Sequence, residues 1–177
     1  MAINLPANWP NSTPKAIYDI LALNGGQDKL PVDTRLLGGF AALYALLQVA
    51  VHLLEHSFAS SLAFGATSAA LLGAATAATL ISYQRRDILV QTLTALTATG
   101  ALVALVSVFL HFVFAAALPP PLPTHRLVSF LLFPIAAWKV FAFAYIYRHA
   151  RVRLVPAFAL AAAIVVVEYW ILADLIR

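Results

Sequence analysis

Two charged residues interrupt apolar stretches of the sequence that are long enough to cross a membrane. Lys139 lies within the apolar run 127–147, and Glu168 lies within the run 154–173. At about 1.5 Å of rise per helical residue, Lys139 lies about 13 Å from the nearer end of its run, where a bare charge costs at least about 3 kcal/mol. Each of these charges therefore needs a compensating group.

The depths of Lys139 and Glu168 predict that the two side chains can meet. In antiparallel neighbouring helices they would differ by about 9 Å along the membrane normal, a gap that flexible side chains or one water can close. The favoured interpretation is an interhelical ion pair, or a lysine that snorkels toward the cytoplasm. A proton or ion relay is the alternative.

Three histidines form a second group with chemical potential. His52 and His56 stand four residues apart, with Glu55 between them, so both imidazoles would share one helical face. His111 and Asp174 fall near the ends of two other apolar runs, in the same predicted leaflet. Neutral imidazole binds zinc, copper or haem iron. The sequence leaves open a metal or haem b site and the favoured alternative of ordinary interfacial histidines.

Motifs of the common enzyme classes are missing from the sequence. There is no cysteine, which excludes thiol catalysis and thiolate metal sites. Glu55 directly precedes His56, so the HExxH pattern of zinc proteases is absent. Neither a GxSxG motif nor a glycine-rich phosphate loop occurs. We therefore predict a protein without enzymatic activity and without a cofactor.

The composition is that of a membrane protein. The chain of 177 residues is 63% hydrophobic and 10% charged, with a mean hydropathy of +0.90. We predict an all-α fold, a polytopic helical bundle of five transmembrane helices within residues 35–177. Short loops make consecutive helices antiparallel neighbours. The five apolar runs cover residues 36–54, 61–83, 88–118, 127–147 and 154–173.

Basic residues predict the orientation, because positively charged loops tend to stay in the cytoplasm. With a cytoplasmic N-terminus, only Arg126 and Arg177 lie outside, and Lys139 lies inside a span. We predict a bacterial inner-membrane protein with an outside C-terminus. These basic residues sit at the ends of apolar runs, a pattern that does not indicate nucleic-acid binding. The predicted cytoplasmic basic residues are Lys15, Lys29, Arg35, Arg85, Arg86, Arg148, Arg151 and Arg153.

Residues 1–34 are predicted to form a cytoplasmic segment with a short interfacial helix. Its pattern over 12–23 begins with capping residues and a proline, and it stops at Asn24-Gly25-Gly26. Ile17, Ile20 and Leu21 would face the lipid and Lys15 the headgroups. A loosely ordered tail is the alternative.

Small residues recur in the second apolar run and predict close helix packing. Gly65, Ala69, Gly73 and Ala77 form one row, and Ala66, Ala70, Ala74 and Ala78 form the next. Lipid gives helices no hydrophobic reason to associate, so such rows favour close backbone approach. We predict that this helix is central. Gly100 and Ala104 repeat the spacing on the third run, where four threonines can bond their own backbone: Thr92, Thr94, Thr97 and Thr99.

Several segments resemble the Yip-domain family of small membrane proteins. The resemblance rests on Arg85-Arg86-Asp87, the run Gln91-Thr92-Leu93-Thr94-Ala95-Leu96, Trp138, Ile146-Tyr147-Arg148-His149-Ala150 and Pro156, and it covers roughly residues 35–176. It implies five spans with a cytoplasmic N-terminus. The Asp-Leu-Tyr-Gly-Pro segment of the eukaryotic members, which bind lipid-modified small GTPases, has no counterpart here.

The small size, short loops and missing catalytic motifs lead to a functional prediction. We expect a structural or interaction protein, such as an accessory subunit of a larger inner-membrane assembly. Its partners would be the lipid bilayer and other membrane subunits, or a second copy of the chain. A small transporter or ion-conducting protein using Lys139 and Glu168 is one alternative. A metal or haem carrier using His52, His56 and His111 is the other.

Overall fold

The computed structural model describes residues 12–54, 56–117 and 124–172, and those residues form helices, turns and no strand. The predicted all-α fold is confirmed. A π-helical turn, Val167–Leu172, continues the last helix. The described residues contain six α-helices, which are α1 (Ser12–Leu21), α2 (Thr34–Leu53), α3 (Phe58–Ser82), α4 (Leu89–Ala117), α5 (Thr124–His149) and α6 (Leu154–Val166).

Three of these helices, α2, α3 and α4, are long and apolar enough to cross a membrane. They coincide within a few residues with the first three apolar runs of the sequence. The other two runs coincide with α5 and with α6 and its π-helical turn. The turn carries the chain from the 13 residues of α6 on to Leu172.

Left-handed residues end α1, α3 and α5 sharply. Leu23, Gln84 and Arg151 have φ values of 57°, 57° and 63°. In each case the next N–H donates to a carbonyl five residues back, at 2.7, 2.7 and 3.0 Å respectively. This bond is typical of the Schellman motif and satisfies a carbonyl that a helix end leaves open. After α3 and α5 the motif allows the short connections predicted from the sequence.

The central helix of the bundle is α4, and the prediction that α3 is central is wrong. The apolar stretch of α4 is 61% buried, against 33% for α3. Every residue from 94 to 101 is buried. The hydroxyls of Thr92, Thr94 and Thr97 donate to carbonyls of their own helix at 2.8 Å, so these polar side chains are satisfied wherever α4 packs.

Only one glycine of the predicted small-residue row brings α3 close to another helix. A Cβ atom at Gly65 would lie 2.6 Å from the carbonyl oxygen of Ala45 and 2.5 Å from Cγ2 of Val49, so α2 and α3 touch there. A Cβ atom at Gly73 would meet no atom within 4 Å. Ala69 and Ala77 are half-buried. The prediction of close packing along this row therefore holds at Gly65 and not at Gly73.

The face of α3 that turns to the core lies beside the predicted row. Its buried residues are Ser61, Phe64, Gly65, Ser68, Leu72, Thr76 and Leu80. The second predicted row is exposed along its whole length: Ala66, Ala70, Ala74 and Ala78. Small residues permit close helix approach on any face of a helix. The face of α3 that packs within this chain is the one that carries the larger residues Phe64, Leu72 and Leu80.

Helix α1 packs against the end of the bundle where α4 begins and α5 ends. Ile17 is 8% exposed and Ile20 is 1% exposed, and both belong to the main core cluster. Tyr18, on the opposite face, is 69% exposed. The prediction that Ile17, Ile20 and Leu21 face the lipid is therefore wrong for Ile17 and Ile20, while Leu21 is half-buried against the same core. The protein itself covers the apolar face of this amphipathic helix.

The turn after α1 is tied to the same end of the bundle. With its amide oriented to satisfy both groups, Gln27 donates to the carbonyl of Ile146 at 3.2 Å and accepts from the N–H of Ala150 at 2.9 Å. Gln91 Nε2 donates to the carbonyl of Leu30 at 2.7 Å. These bonds hold the segment between α1 and α2 on the ends of α4 and α5.

Candidate functional site

Four polar side chains meet inside the bundle, and we call them the polar cluster: Tyr44 and Gln48 on α2, Lys139 on α5, and Glu168 on the π-helical turn. Each is at most 4% exposed. Helices α2 and α5 and the turn thus each contribute to one buried site. Buried polar groups are costly unless they satisfy one another, so their contacts decide what the site can do.

Lys139 and Glu168 form a direct ion pair. Lys139 Nζ donates to Glu168 Oε2 at 2.5 Å, and both side chains are 1% exposed. The structure thus brings together the two charges that the sequence placed at compatible depths. In a low-dielectric interior the attraction between the two charges offsets part of the cost of burying them, and a pair that lost one partner would leave the other charge uncompensated.

The other carboxylate oxygen of Glu168 is held by α2. The hydroxyl of Tyr44 donates to Oε1, and Gln48 Nε2 donates to the same oxygen at 3.4 Å. Tyr44 and Gln48 stand four residues apart and therefore share one helical face. Neither residue was predicted from the sequence as part of a site. A tyrosine and a glutamine at this spacing in an otherwise apolar run are the signal that could have found them.

Aromatic rings surround the ammonium group of Lys139. Its Nζ lies 5.5 Å from the ring centroids of Tyr44 and Phe143, and 5.4 Å from that of Tyr169. Ring faces at this distance attract a cation, and the attraction is stronger away from water. Glu168 and Tyr169 are consecutive, yet both reach the same ammonium group from the π-helical turn. Turns of this type occur often at functional sites.

A second buried polar contact joins α3 to α5. Thr76 Oγ1 lies 2.7 Å from the hydroxyl of Tyr147, and Thr76 also donates to the carbonyl of Leu72 at 2.7 Å. Since Thr76 donates to its own helix, it accepts from Tyr147. This contact satisfies two hydroxyls and positions α5 next to α3, and it includes no charged group.

The histidines do not come together as the metal hypothesis requires. His52 faces α3, where Nδ1 lies 3.1 Å from Ser61 Oγ and the ring stacks on Phe64 at 4.5 Å. His56 stacks on His52 at 4.0 Å. Among the described residues, no three His, Asp or Glu side chains are placed to hold a metal ion, so His111 does not complete a site with this pair. Glu55 and Asp174 lie outside the described residues.

Comparison with known proteins leaves the site as the main guide to function. No family model matches the chain. No curated protein and no solved structure matches it either. The resemblance to the Yip-domain family therefore stays a prediction from the sequence.

Proposed function

We propose that this protein is a non-enzymatic helical bundle that crosses a bacterial inner membrane five times and acts as a structural or interaction component of a larger assembly. The supporting observation is that the side chains of the polar cluster are satisfied by one another. Glu168 receives donors from Tyr44, Gln48 and Lys139, which satisfies its charge within the chain. The contacts of Glu168 therefore link the π-helical turn to α2 and to α5.

The five-span assignment adds α5 and α6 to the three helices that are long and apolar enough to cross a membrane. It is supported by the position of the ion pair, because a buried pair between two helices lets both lie in lipid without an exposed charge. The basic residues of the α3–α4 and α5–α6 loops support a cytoplasmic location for these loops. The N-terminus then lies on the same side.

The interaction role rests on the exposed face of α3, which we call the alanine face: Ala66, Ala70, Ala74 and Ala78. These residues are exposed at four-residue spacing, and Gly73 beside them has open space where a side chain would stand. In lipid, small residues let a second helix approach closely enough for its backbone to make van der Waals contact. The partner that fits this face is a transmembrane helix of another membrane subunit.

Photocrosslinking in native membranes tests the interaction role. A small diazirine residue replaces Ala66, Ala70 or Ala74 in turn, with Leu46 on α2 and Val155 on α6 as exposed controls. We expect one adduct of constant mass from the three α3 positions and much less from the controls. A mass increase equal to one further chain would identify a second copy as the occupant. Equal yields at all five positions would mean random collision in the membrane and would contradict the proposal.

A second candidate function, cation or proton transport, is favoured by the buried ion pair between Lys139 on α5 and Glu168 on the π-helical turn. Carboxylates inside membrane proteins often mark ion and proton pathways. The test is proton and monovalent-cation flux into vesicles that contain the purified protein. Transport through this site requires that Glu168→Gln abolishes the flux, while Asp87→Asn in the α3–α4 loop leaves it unchanged. Vesicles with wild-type protein that are no more permeable than empty vesicles would reject this function.

A further inference from the structure

The surroundings of Lys139 have the chemistry of a site for an organic ammonium ion. One carboxylate oxygen, Glu168 Oε2, accepts from the ammonium group, and the rings of Tyr44, Phe143 and Tyr169 lie around it at 5.4 to 5.5 Å. Ring faces attract ammonium groups, and proteins use cages of aromatic rings to recognise ammonium ligands. The Glu168 carboxylate adds an opposite charge and a hydrogen-bond acceptor. In this protein the ammonium group that occupies the site is that of Lys139.

The same geometry disfavours metal ions. Calcium and magnesium need about six oxygen ligands. The second oxygen of Glu168 already accepts from Tyr44 and Gln48. Ring faces attract an organic ammonium ion, whose N–H groups can donate to the carboxylate, but they do not replace the oxygens that a metal ion loses on leaving water. The charge and the rings together therefore select an alkylammonium group.

We propose that Glu168 and the rings of Tyr44, Phe143 and Tyr169 form a binding site for a primary alkylammonium ion, and that Lys139 occupies this site as an intramolecular ligand. The proposal rests on the second candidate function and names the class of cation that Glu168 and the rings recognise. A tethered ligand has a high effective concentration, so a free amine competes poorly while Lys139 is present. Removing the Lys139 side chain should open the site.

An added primary amine would bind in the opened site as its ammonium ion. The charge of this ion would pair with the Glu168 carboxylate, and its N–H groups would donate to Oε2, the oxygen that accepts from Lys139 in the wild-type protein. No covalent bond forms or breaks, so binding needs no other reactant.

The experiment uses Lys139→Ala, which removes Cγ, Cδ, Cε and Nζ. n-Propylamine has the same three carbons and one nitrogen, and 1-propanol is its neutral match. We expect n-propylamine to raise the Tm of the variant in detergent in a saturable way and to restore most of the Tm that the substitution removes. Neither 1-propanol nor the Lys139→Ala/Glu168→Gln double variant should show this effect. No rise with n-propylamine, or an equal rise with 1-propanol, would overturn the proposal.

A second set of variants keeps the proposal testable if Lys139→Ala does not fold. Tyr169→Phe keeps the ring and should leave the Tm of the otherwise wild-type protein unchanged, whereas Tyr169→Leu should lower it. In a Lys139→Met background the two Tyr169 variants should have the same Tm, since no cation faces the ring. An equal difference in both backgrounds would show that the ring acts by packing alone and would reject the ammonium site. That result would not affect a proton flux that depends on Glu168. Failure of the ammonium site can therefore be distinguished from failure of the transport function.

Discussion

The ring of Tyr44 on α2 lies directly against the backbone of Gly100 on α4. A Cβ atom at residue 100 would lie 2.6 Å from Cε2 and 2.9 Å from Cδ2 of that ring, closer than real side chains approach. The missing side chain at Gly100 therefore creates the space that Tyr44 occupies. From this position the Tyr44 hydroxyl donates to Glu168, so a glycine on the central helix supports the polar cluster.

Gly100→Ala should displace the Tyr44 ring and weaken its hydrogen bond to Glu168. Overpacking and a lost bond to a charged group each cost on the order of 1–3 kcal/mol, so we expect a Tm lower by several degrees in detergent. The matched control is Gly73→Ala, where no atom lies within 4 Å of the new methyl group. The control should be neutral or slightly stabilising, because alanine favours helix more than glycine does. Equal losses in the two variants would show that the space at Gly100 is not needed.

Lys139 and Glu168 should show strong coupling in a double-mutant cycle. Lys139→Met and Glu168→Gln each leave one buried charged or ionisable group without its partner, at a cost of about 3–5 kcal/mol. The double variant leaves neither and should lose less stability than the sum of the two single variants. Thermal unfolding of all four proteins in one detergent measures the coupling. Losses that simply add would mean that the ion pair does not contribute to stability.

The positions of the helices could be predicted closely from the sequence, because the long helices correspond to long apolar runs. The third run, 88–118, became α4 at Leu89–Ala117, and the fifth, 154–173, became α6 and its π-helical turn. The proximity of Lys139 and Glu168 was also predictable, since depth along a helix depends only on residue count. Both predictions use position along the helix axis.

Rotation about the helix axis could not be predicted in the same way. In lipid every face of a span is apolar, so hydrophobic periodicity does not tell which face meets another helix. Tyr44 and Gln48 were missed for this reason, since they reach Glu168 only because α2 turns that face inward. The alanine face of α3 is the converse case, with small residues that were expected to pack and that are exposed.

Burial of α1 against the bundle predicts which of its residues matter for stability. Ile20→Ala removes a side chain that is 1% exposed and should cost about 2–5 kcal/mol. Tyr18→Ala, on the face that is 69% exposed, should cost much less. Unfolding in detergent without lipid is the suitable measurement, because it removes the bilayer that α1 would otherwise contact. If the two variants lose the same stability, the packing of α1 on α4 and α5 is not significant in solution.

The five-span arrangement predicts which loops lie in the cytoplasm. A reporter that is active only outside the cytoplasm should be silent when fused after Gln84 or Ala150, because basic residues hold both loops inside. It should be active after Ser57, Pro121 or Arg177. The fusion after Ala150 is decisive for α5, which is not among the three helices that are long and apolar enough to cross a membrane. The fusion after Arg177 tests α6 in the same way. Activity after Ala150 would mean that α5 does not return the chain to the cytoplasm, and the ion pair would then join a surface helix to the bundle.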